Sequence, residues 1–296
     1  MRGPSVPPVH VFSVDLEEYF QVAAFEKHVP RDSWSDRPER VVKSTDRLLE
    51  LLGEHGVRAT FFTLGWIAER HPGLVRRVAE AGHEIASHGW WHRRINRCTP
   101  DELRAEAVES RRILEEVAGR RVYGYRAPSF SLVPGTEWAF DVLIEAGYAY
   151  DSSVFPVHRG DYGYPGADPE PHYVDRPGGR ILEIPLTTTT LGGWRVPAAG
   201  GGYFRLLPYG LTRRAFDRRV SEGRPGMFYI HPWELDPGQP RLDVAWPTRV
   251  RHYGGLERTL PRLRRLLGAY RFGPVEQVYP EVTGAAAEAK TVPAGA

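Results

Sequence analysis

HEIASHGWWH, residues 83–92, decides how the chain is read. Its first five residues, His83–Ser87, form a short alternating apolar run that reads as a strand. The strand ends on His88, and His92 follows four positions later. Just past a strand, a turn can bring such a pair onto one side of the chain. Taken alone, the two imidazoles fit metal ligation and aromatic packing equally well, so the rest of the sequence has to supply the context.

Six further segments carry the strand signature: VHVFSV (9–14), ATFFTL (59–64), VYGY (122–125), YAY (148–150), ILEIPL (181–186) and MFYI (227–230). Helical spacing lies between them. STDRLLELLGEHG has Ser44 or Thr45 as its cap, and the segment from Pro72 ends near Gly82. In PDELRAEAVESRRILEEVAG, Thr99 caps, Glu102 completes a capping box and Gly119 terminates. TEWAFDVLIEAG, LTRRAFDRRVSEG and GLERTLPRLRRLLGAY follow, the last with Pro261 as a kink or a reset start. This alternation predicts parallel strands joined by crossover helices: an α/β chain forming an irregular (β/α)7 barrel. One domain is expected over 9–280, with an N-terminal extension (1–8) and a flexible tail (281–296). Residues 155–180 and 187–210 show little periodicity and read as long loops of the lid or binding-surface type.

Composition narrows the partners. Hydrophobic residues make up 41% and charged residues 26% of the 296, values ordinary for a soluble globular protein. The net charge of +2, with arginines spread along helices, argues against nucleic acid as a partner. Cys98 is the single cysteine, so no internal disulfide forms. No apolar run reaches the roughly 18 residues of a membrane span, and no signal segment precedes the first polar break. A cytoplasmic location is expected, compatible with association with membrane-bound polysaccharide machinery.

In parallel barrels, sites are built at the C-terminal ends of strands. The expected strand ends deliver Asp15-Leu16-Glu17-Glu18, His88, Arg126, Asp151 and His231. Asp15 and Glu17 alternate onto one face of an extended strand. Two such carboxylates both stay ionised only beside positive charge, which a metal and Arg126 would provide. A helix cap or a solvated acidic turn is the simpler explanation for this cluster, and it suits Glu18 better than Asp15. With acids and a third histidine on one rim, His88 and His92 read as metal ligands.

VDLEEYFQVAAF, ATFFTLGWIAERHPGLVRRVAEAGHEIASHGWWH, YRAPSFS, YDSSVFP, GGGYFRLLPY and FYIHPWELDPGQPRL together resemble the polysaccharide deacetylases of the NodB-homology, carbohydrate esterase 4-like fold. The similarity runs from about Val9 to Val278 and points to the exopolysaccharide-locus branch, which carries a C-terminal DUF3473-type region. The resemblance implies a divalent metal, zinc ahead of cobalt or nickel, held by Glu17, His88 and His92. Glu18 stays open as the acidic ligand, because better-known members have two adjacent aspartates where this chain has Asp-Leu-Glu-Glu. It further implies Asp15 as base, Arg126 as its partner, His231 as general acid and Asp151 as the acid orienting that histidine. The Ser129 backbone N–H would face the oxyanion, and Tyr203 and Trp233 are candidates for sugar contact. The implied activity is hydrolysis of N-acetyl groups on amino sugars of a polysaccharide, releasing acetate. Allantoinase-like ring opening and a catalytically silent carbohydrate-binding protein are the competing readings on the same scaffold.

Overall fold

The computed structural model describes residues 7–158 and 162–288, which fall into two compact units, each drawn from separate stretches of chain. The first joins Met1–Thr60 to Leu186–Pro274, and the second joins Phe61–Pro185 to Val275–Ala296.

In the first unit the strand His10–Leu16 is buried at every position. It pairs in parallel with Met227–Ile230, in register from Val11 opposite Met227 to Val14 opposite Ile230. At its start it also pairs with Phe272–Gly273. A strand buried on both faces needs apolar residues at nearly every position, and HVFSVDL meets that demand until Asp15. His10 sits in this core with its Nδ1 accepting the Gly226 N–H at 3.0 Å. Burial, and then the charge of Arg219, lower its pKa to about 4, so the ring stays neutral.

The helix Val41–Glu54 buries Leu48, Leu51 and Leu52 along one stripe. Ser44 and Thr45, the expected caps, lie inside this helix and are themselves buried. The cap comes instead from Glu18, whose Oε1 accepts the backbone N–H groups of Arg40 (2.6 Å) and Val41 (2.8 Å). A carboxylate at a helix N-terminus satisfies orphan donors and complements the macrodipole. Helix Leu256–Ala269 runs through Pro261 without interruption. Burial of Leu256, Leu263, Leu266 and Leu267 offsets the roughly 3 kcal/mol that an interior proline costs.

Both stretches expected to be irregular contain hairpins. His172–Arg176 pairs antiparallel with Gly179–Glu183, and Thr188–Leu191 pairs with Trp194–Pro197. The second hairpin turns at Gly192 and Gly193, both at positive φ (57° and 81°), the backbone that two-residue hairpin loops require. These strands escaped the sequence pattern because they are short and largely solvated, and so show no apolar alternation.

Gly200 marks a close approach in the first unit. Its φ is +143°, and it bridges in parallel to Tyr229. A Cβ there would overlap the Tyr229 carbonyl and ring. Gly200→Ala should therefore destabilise the protein by roughly 2–4 kcal/mol, combining backbone strain with overpacking. Urea denaturation checks this, and a change below about 0.5 kcal/mol would contradict it.

The second unit holds a sheet whose strand order is Glu84–Ser87, Gly124–Tyr125, Tyr150–Asp151, Gly179–Glu183, His172–Arg176. The first four strands pair in parallel and the last closes the edge antiparallel. Helix Pro100–Ala118 starts with the expected capping box between Thr99 and Glu102 and ends on Gly119 at φ +65°. Near the C-terminus, Glu281–Glu288 forms a helix within the stretch expected as a flexible tail. The remainder of that tail and residues 1–6 of the expected N-terminal extension lie outside the described residues. Among the described residues, no helix is long and apolar enough to cross a membrane.

Candidate active site

In the first unit, the parallel strands His10–Leu16 and Met227–Ile230 end side by side. The chain therefore delivers Asp15 and Glu17 from one strand end and His231 from the other, all largely buried. His231 Nε2 lies 3.6 Å from Glu17 Oε1 and 3.8 Å from Asp15 Oδ2. Its Nδ1 meets Glu234 Oε1 at 2.8 Å, and its backbone N–H donates to the same oxygen at 3.1 Å. Burial alone would lower the histidine pKa. The Glu234 hydrogen bond and the charges of Glu17, Glu234 and Asp15 outweigh it and raise the pKa to about 9.

Glu234 is fixed in turn by Arg205. The guanidinium Nε donates to Glu234 Oε2 at 2.5 Å, and its terminal nitrogens donate to the carbonyls of Gly254 (2.5 Å) and Arg251 (3.1 Å). Burial would raise the Glu234 pKa, but Arg205 and then His231 bring it down to about 2. The carboxylate orienting His231 is thus Glu234, three residues along the same chain segment. Asp151, expected in that role, makes its contacts within the second unit.

Trp233 also departs from expectation. It is 5% exposed, with His231 stacked near one face (4.9 Å between centroids, 23°) and His252 against it at 4.2 Å and 18°. A ring enclosed in this way has no face to offer a sugar, so it packs and positions instead. Its indole N–H donates to Glu17 Oε1 at 3.2 Å. Tyr203 lies half-buried in the short helix Gly201–Leu206. Glu18 is committed to the N-terminus of Val41–Glu54, and burial, opposed by its backbone donors, raises its pKa to about 7. Of the two adjacent acids, Glu17 is therefore the one that faces the histidine.

In the second unit, His88 follows Ser87 off the strand end and its backbone N–H donates to the Thr63 carbonyl. His88 Nδ1 sits 2.8 Å from the Arg126 carbonyl, which can only accept. The proton is thereby assigned to Nδ1 and the lone pair to Nε2, the tautomer of a metal-ligating histidine with a backbone partner. The His92 ring lies 5.4 Å from that of His88, and its backbone adopts φ +50°. Glu106, on helix Pro100–Ala118, accepts the backbone N–H groups of Trp90 and Trp91 and so fastens the loop between the two histidines. Trp90 packs on Gly65, where any Cβ would overlap its ring.

Arg126 is wholly buried. It donates to the Ser152 carbonyl (3.2 Å) and hydroxyl (3.0 Å) and lies over the Phe62 ring at 3.9 Å. Asp151 accepts from the Ser153 hydroxyl at 2.6 Å, and that hydroxyl accepts the Ala127 N–H at 2.7 Å. Asp151 thus braces the Arg126-Ala127-Pro128 turn. Glu183 lies opposite Asp151 on the next strand. Burial raises both carboxyl pKa values, and that of Glu183 is raised further because it faces the Asp151 charge. Past Pro128, Ser129 and Phe130 both adopt positive φ (58° and 52°), strained backbone of the kind that clusters at functional sites.

Glu17, His88 and His92 are all buried, and each offers one ligand atom. One carboxylate and two imidazoles, the first imidazole with its tautomer set by a backbone carbonyl, suit a zinc-type cation. The donor set fits the group that the resemblance implies.

Parallel strand ends carrying acids, imidazoles and a buried guanidinium define an α/β protein with its polar machinery at the strand termini. The comparisons with known proteins agree. Residues 33–150 match the family described as polysaccharide deacetylase, and residues 152–280 match a domain of unknown function, DUF3473. A Mycobacterium smegmatis structure, described provisionally as a polysaccharide deacetylase, matches with a TM-score of 0.61 at 21% identity, covering 95% of this chain and 93% of that one. Puue allantoinase matches with a TM-score of 0.56 at 18% identity, covering 92% and 90%. The Bradyrhizobium sp. chitooligosaccharide deacetylase is 31% identical over 125 residues, which is 42% of this chain and 55% of that protein. The Bacillus cereus peptidoglycan-N-acetylglucosamine deacetylase is 36% identical over 87 residues, 29% of this chain and 31% of that protein. The chain thus spans between about a third and about half of the length of these relatives. Residues 33–150 are thus similar to the polysaccharide deacetylase family, and the fold is the irregular (β/α)7 type expected from the strand pattern.

Proposed function

We propose that the chain is a metal-dependent hydrolase that removes N-acetyl groups from amino sugars of a polysaccharide, acting as one catalytic domain over residues 9–280. The observation that carries this reading is His231: a largely buried imidazole held by Glu234 and facing Asp15 and Glu17, with its proton affinity raised. An amine is a poor leaving group unless protonated, so an amidase needs an acid of this kind beside its base.

In this reading Glu17, His88 and His92 hold the cation, with zinc as the first candidate. Bound there, it would supply Lewis acidity and lower the pKa of a water toward about 7. Asp15 takes the proton released as the acetyl carbonyl is attacked, with Arg126 as the partner that the resemblance implies. The Ser129 N–H donates to the developing oxyanion, a contribution worth on the order of 10²–10³ in rate for one such donor. His231 gives its Nε2 proton to the departing amine, while Glu234 holds Nδ1. Tyr203 contacts the sugar. The products are acetate and a free amino group on the sugar. An N-acetylated polysaccharide of the exopolysaccharide or cell-wall type is the substrate class that fits the resemblance.

Acetate release from N-acetylglucosamine oligomers, assayed with zinc restored to the purified chain, tests the proposal. Release that tracks metal content supports it. Ring opening of allantoin without acetate release would replace it with the cyclic-amide reading, and tight oligomer binding without turnover would favour a binding protein.

A further inference from the structure

The His231-Pro232-Trp233-Glu234 turn does more than carry an acid and its orienting carboxylate. Trp233 lies between two imidazoles, and each neighbour is itself held. His231 is fixed by Glu234. His252 places its Nε2 2.9 Å from Gln239 Oε1, and Phe25 lies against its ring at 4.5 Å. The same Gln239 donates from Nε2 to the Trp233 carbonyl at 2.9 Å, so one side chain fixes both the tryptophan backbone and the ring stacked on it. The Arg205 guanidinium lies 5.5 Å from the Trp233 ring centroid. With ring plane and backbone both fixed, the indole N–H has a single direction, and it points at Glu17 Oε1.

We propose that Trp233 is a positioning residue for the metal carboxylate: its clamped indole N–H holds one oxygen of Glu17, fixing how that side chain is presented to a cation. The inference rests on Glu17 being a ligand. A carboxylate at a strand end can rotate about its side-chain bonds, and each rotation moves its oxygens relative to the imidazoles. An indole donor held on both faces restricts that rotation before any cation arrives. Hydrogen-bond partners of metal ligands typically affect metal affinity by 10–100-fold. The design also couples two functions, since the ring that orients Glu17 is the one on which His231 stacks.

The test is zinc affinity of the full-length chain, measured by competition with a chromophoric chelator at neutral pH. Trp233→Phe keeps an aromatic ring between the histidines and removes the N–H. Its zinc dissociation constant should rise about 10–100-fold. The midpoint for urea unfolding of the metal-free protein should stay close to that of the parent, an outcome that a purely structural tryptophan would not give. An affinity within about threefold of the parent would overturn the proposal, as would an affinity loss accompanied by a collapse in metal-free stability. If Trp233→Phe does not fold, Gln239→Leu loosens the clamp without touching Glu17. A rise of about fivefold or more in its zinc dissociation constant supports the proposal, and an unchanged constant overturns it. Glu17→Gln separates the two levels of argument. If it binds zinc as the parent does, the ligand set itself is wrong. If it loses zinc while Trp233→Phe retains it, only the role of the tryptophan falls.

Discussion

His92→Ala protein should emerge from purification without stoichiometric zinc and without measurable acetate release, whereas His231→Ala should keep its metal and lose turnover by about 10²–10⁴-fold. The contrast follows from what each imidazole faces. His92 stands beside His88, whose Nδ1 is occupied by a backbone carbonyl, which leaves the His88 Nε2 lone pair for a cation in the proposed ligand set. If Glu17, His88 and His92 form the proposed ligand set, removing one of the three leaves too few to retain a cation through dialysis. His231 is engaged at Nδ1 by Glu234 and turns Nε2 toward Asp15 and Glu17, an arrangement for passing a proton. Elemental analysis of the two variants beside the parent decides between the roles. Full zinc occupancy in His92→Ala would strike it from the ligand set, and loss of zinc from His231→Ala would make that residue a ligand rather than an acid.

The second large effect is on stability. Arg205→Met should destabilise the protein by about 3–5 kcal/mol, because it leaves the Oε2 side of the buried Glu234 carboxylate without its guanidinium partner in a site that excludes water. The two side chains are 1% and 0% exposed, so solvent cannot replace the lost partner. The carbonyls of Arg251 and Gly254 would lose their donor as well. Breaking one side of a buried pair is far more damaging than removing both sides. Arg205→Met combined with Glu234→Gln should therefore recover much of the loss while still impairing turnover. The parent protein's pH dependence has the matching sign. Glu234 has its pKa depressed from 4.5 to about 2, so its stabilising contribution is complete above pH 4.5 and drains away as pH falls toward 2. Urea denaturation of both variants measures the effect, and a cost below about 1 kcal/mol for the single change would mean that the pair does not hold this region together.

What the sequence disclosed, and what it withheld, follows from the range of the interactions involved. All seven expected strands are present, because buried parallel strands must be nearly continuous apolar runs and short local patterns reveal them. The Thr99 and Glu102 capping box was readable because its partners stand three residues apart. Glu18 as the cap of Val41–Glu54 was hidden, since donor and acceptor are separated by 22 and 23 positions and the nearby Ser44 offered a plausible local cap. Arg205 and Glu234 are 29 apart, and no spacing rule joins them. Glu234 itself lay in plain view in the His-Pro-Trp-Glu stretch, and its i, i+3 offset from His231 in a short turn was the signal that could have displaced Asp151. Trp233 stays ambiguous in the sequence for a different reason: aromatic side chains suit both sugar platforms and cores, and only burial tells them apart. Glu183 and Glu106 are not legible in the sequence, because a lone acid in an apolar strand or on a helix carries no mark of its partner.

The strand His10–Leu16 finds two of its neighbours, Met227–Ile230 and Phe272–Gly273, more than two hundred positions downstream. During synthesis, that early segment must leave the ribosome and wait. At translation rates of about 5–20 residues per second, the interval before its last partner exists is roughly 13–50 s. Throughout that time HVFSVDL keeps open the edge that Met227–Ile230 will cover, and an apolar strand with an open edge is the kind of segment that nascent-chain chaperones shield and that aggregates when shielding fails. The arrangement that lets one strand end deliver Asp15 and Glu17 beside His231 therefore carries a kinetic hazard at birth, and heterologous yield should respond more to growth temperature and chaperone supply than to the stability of the finished fold.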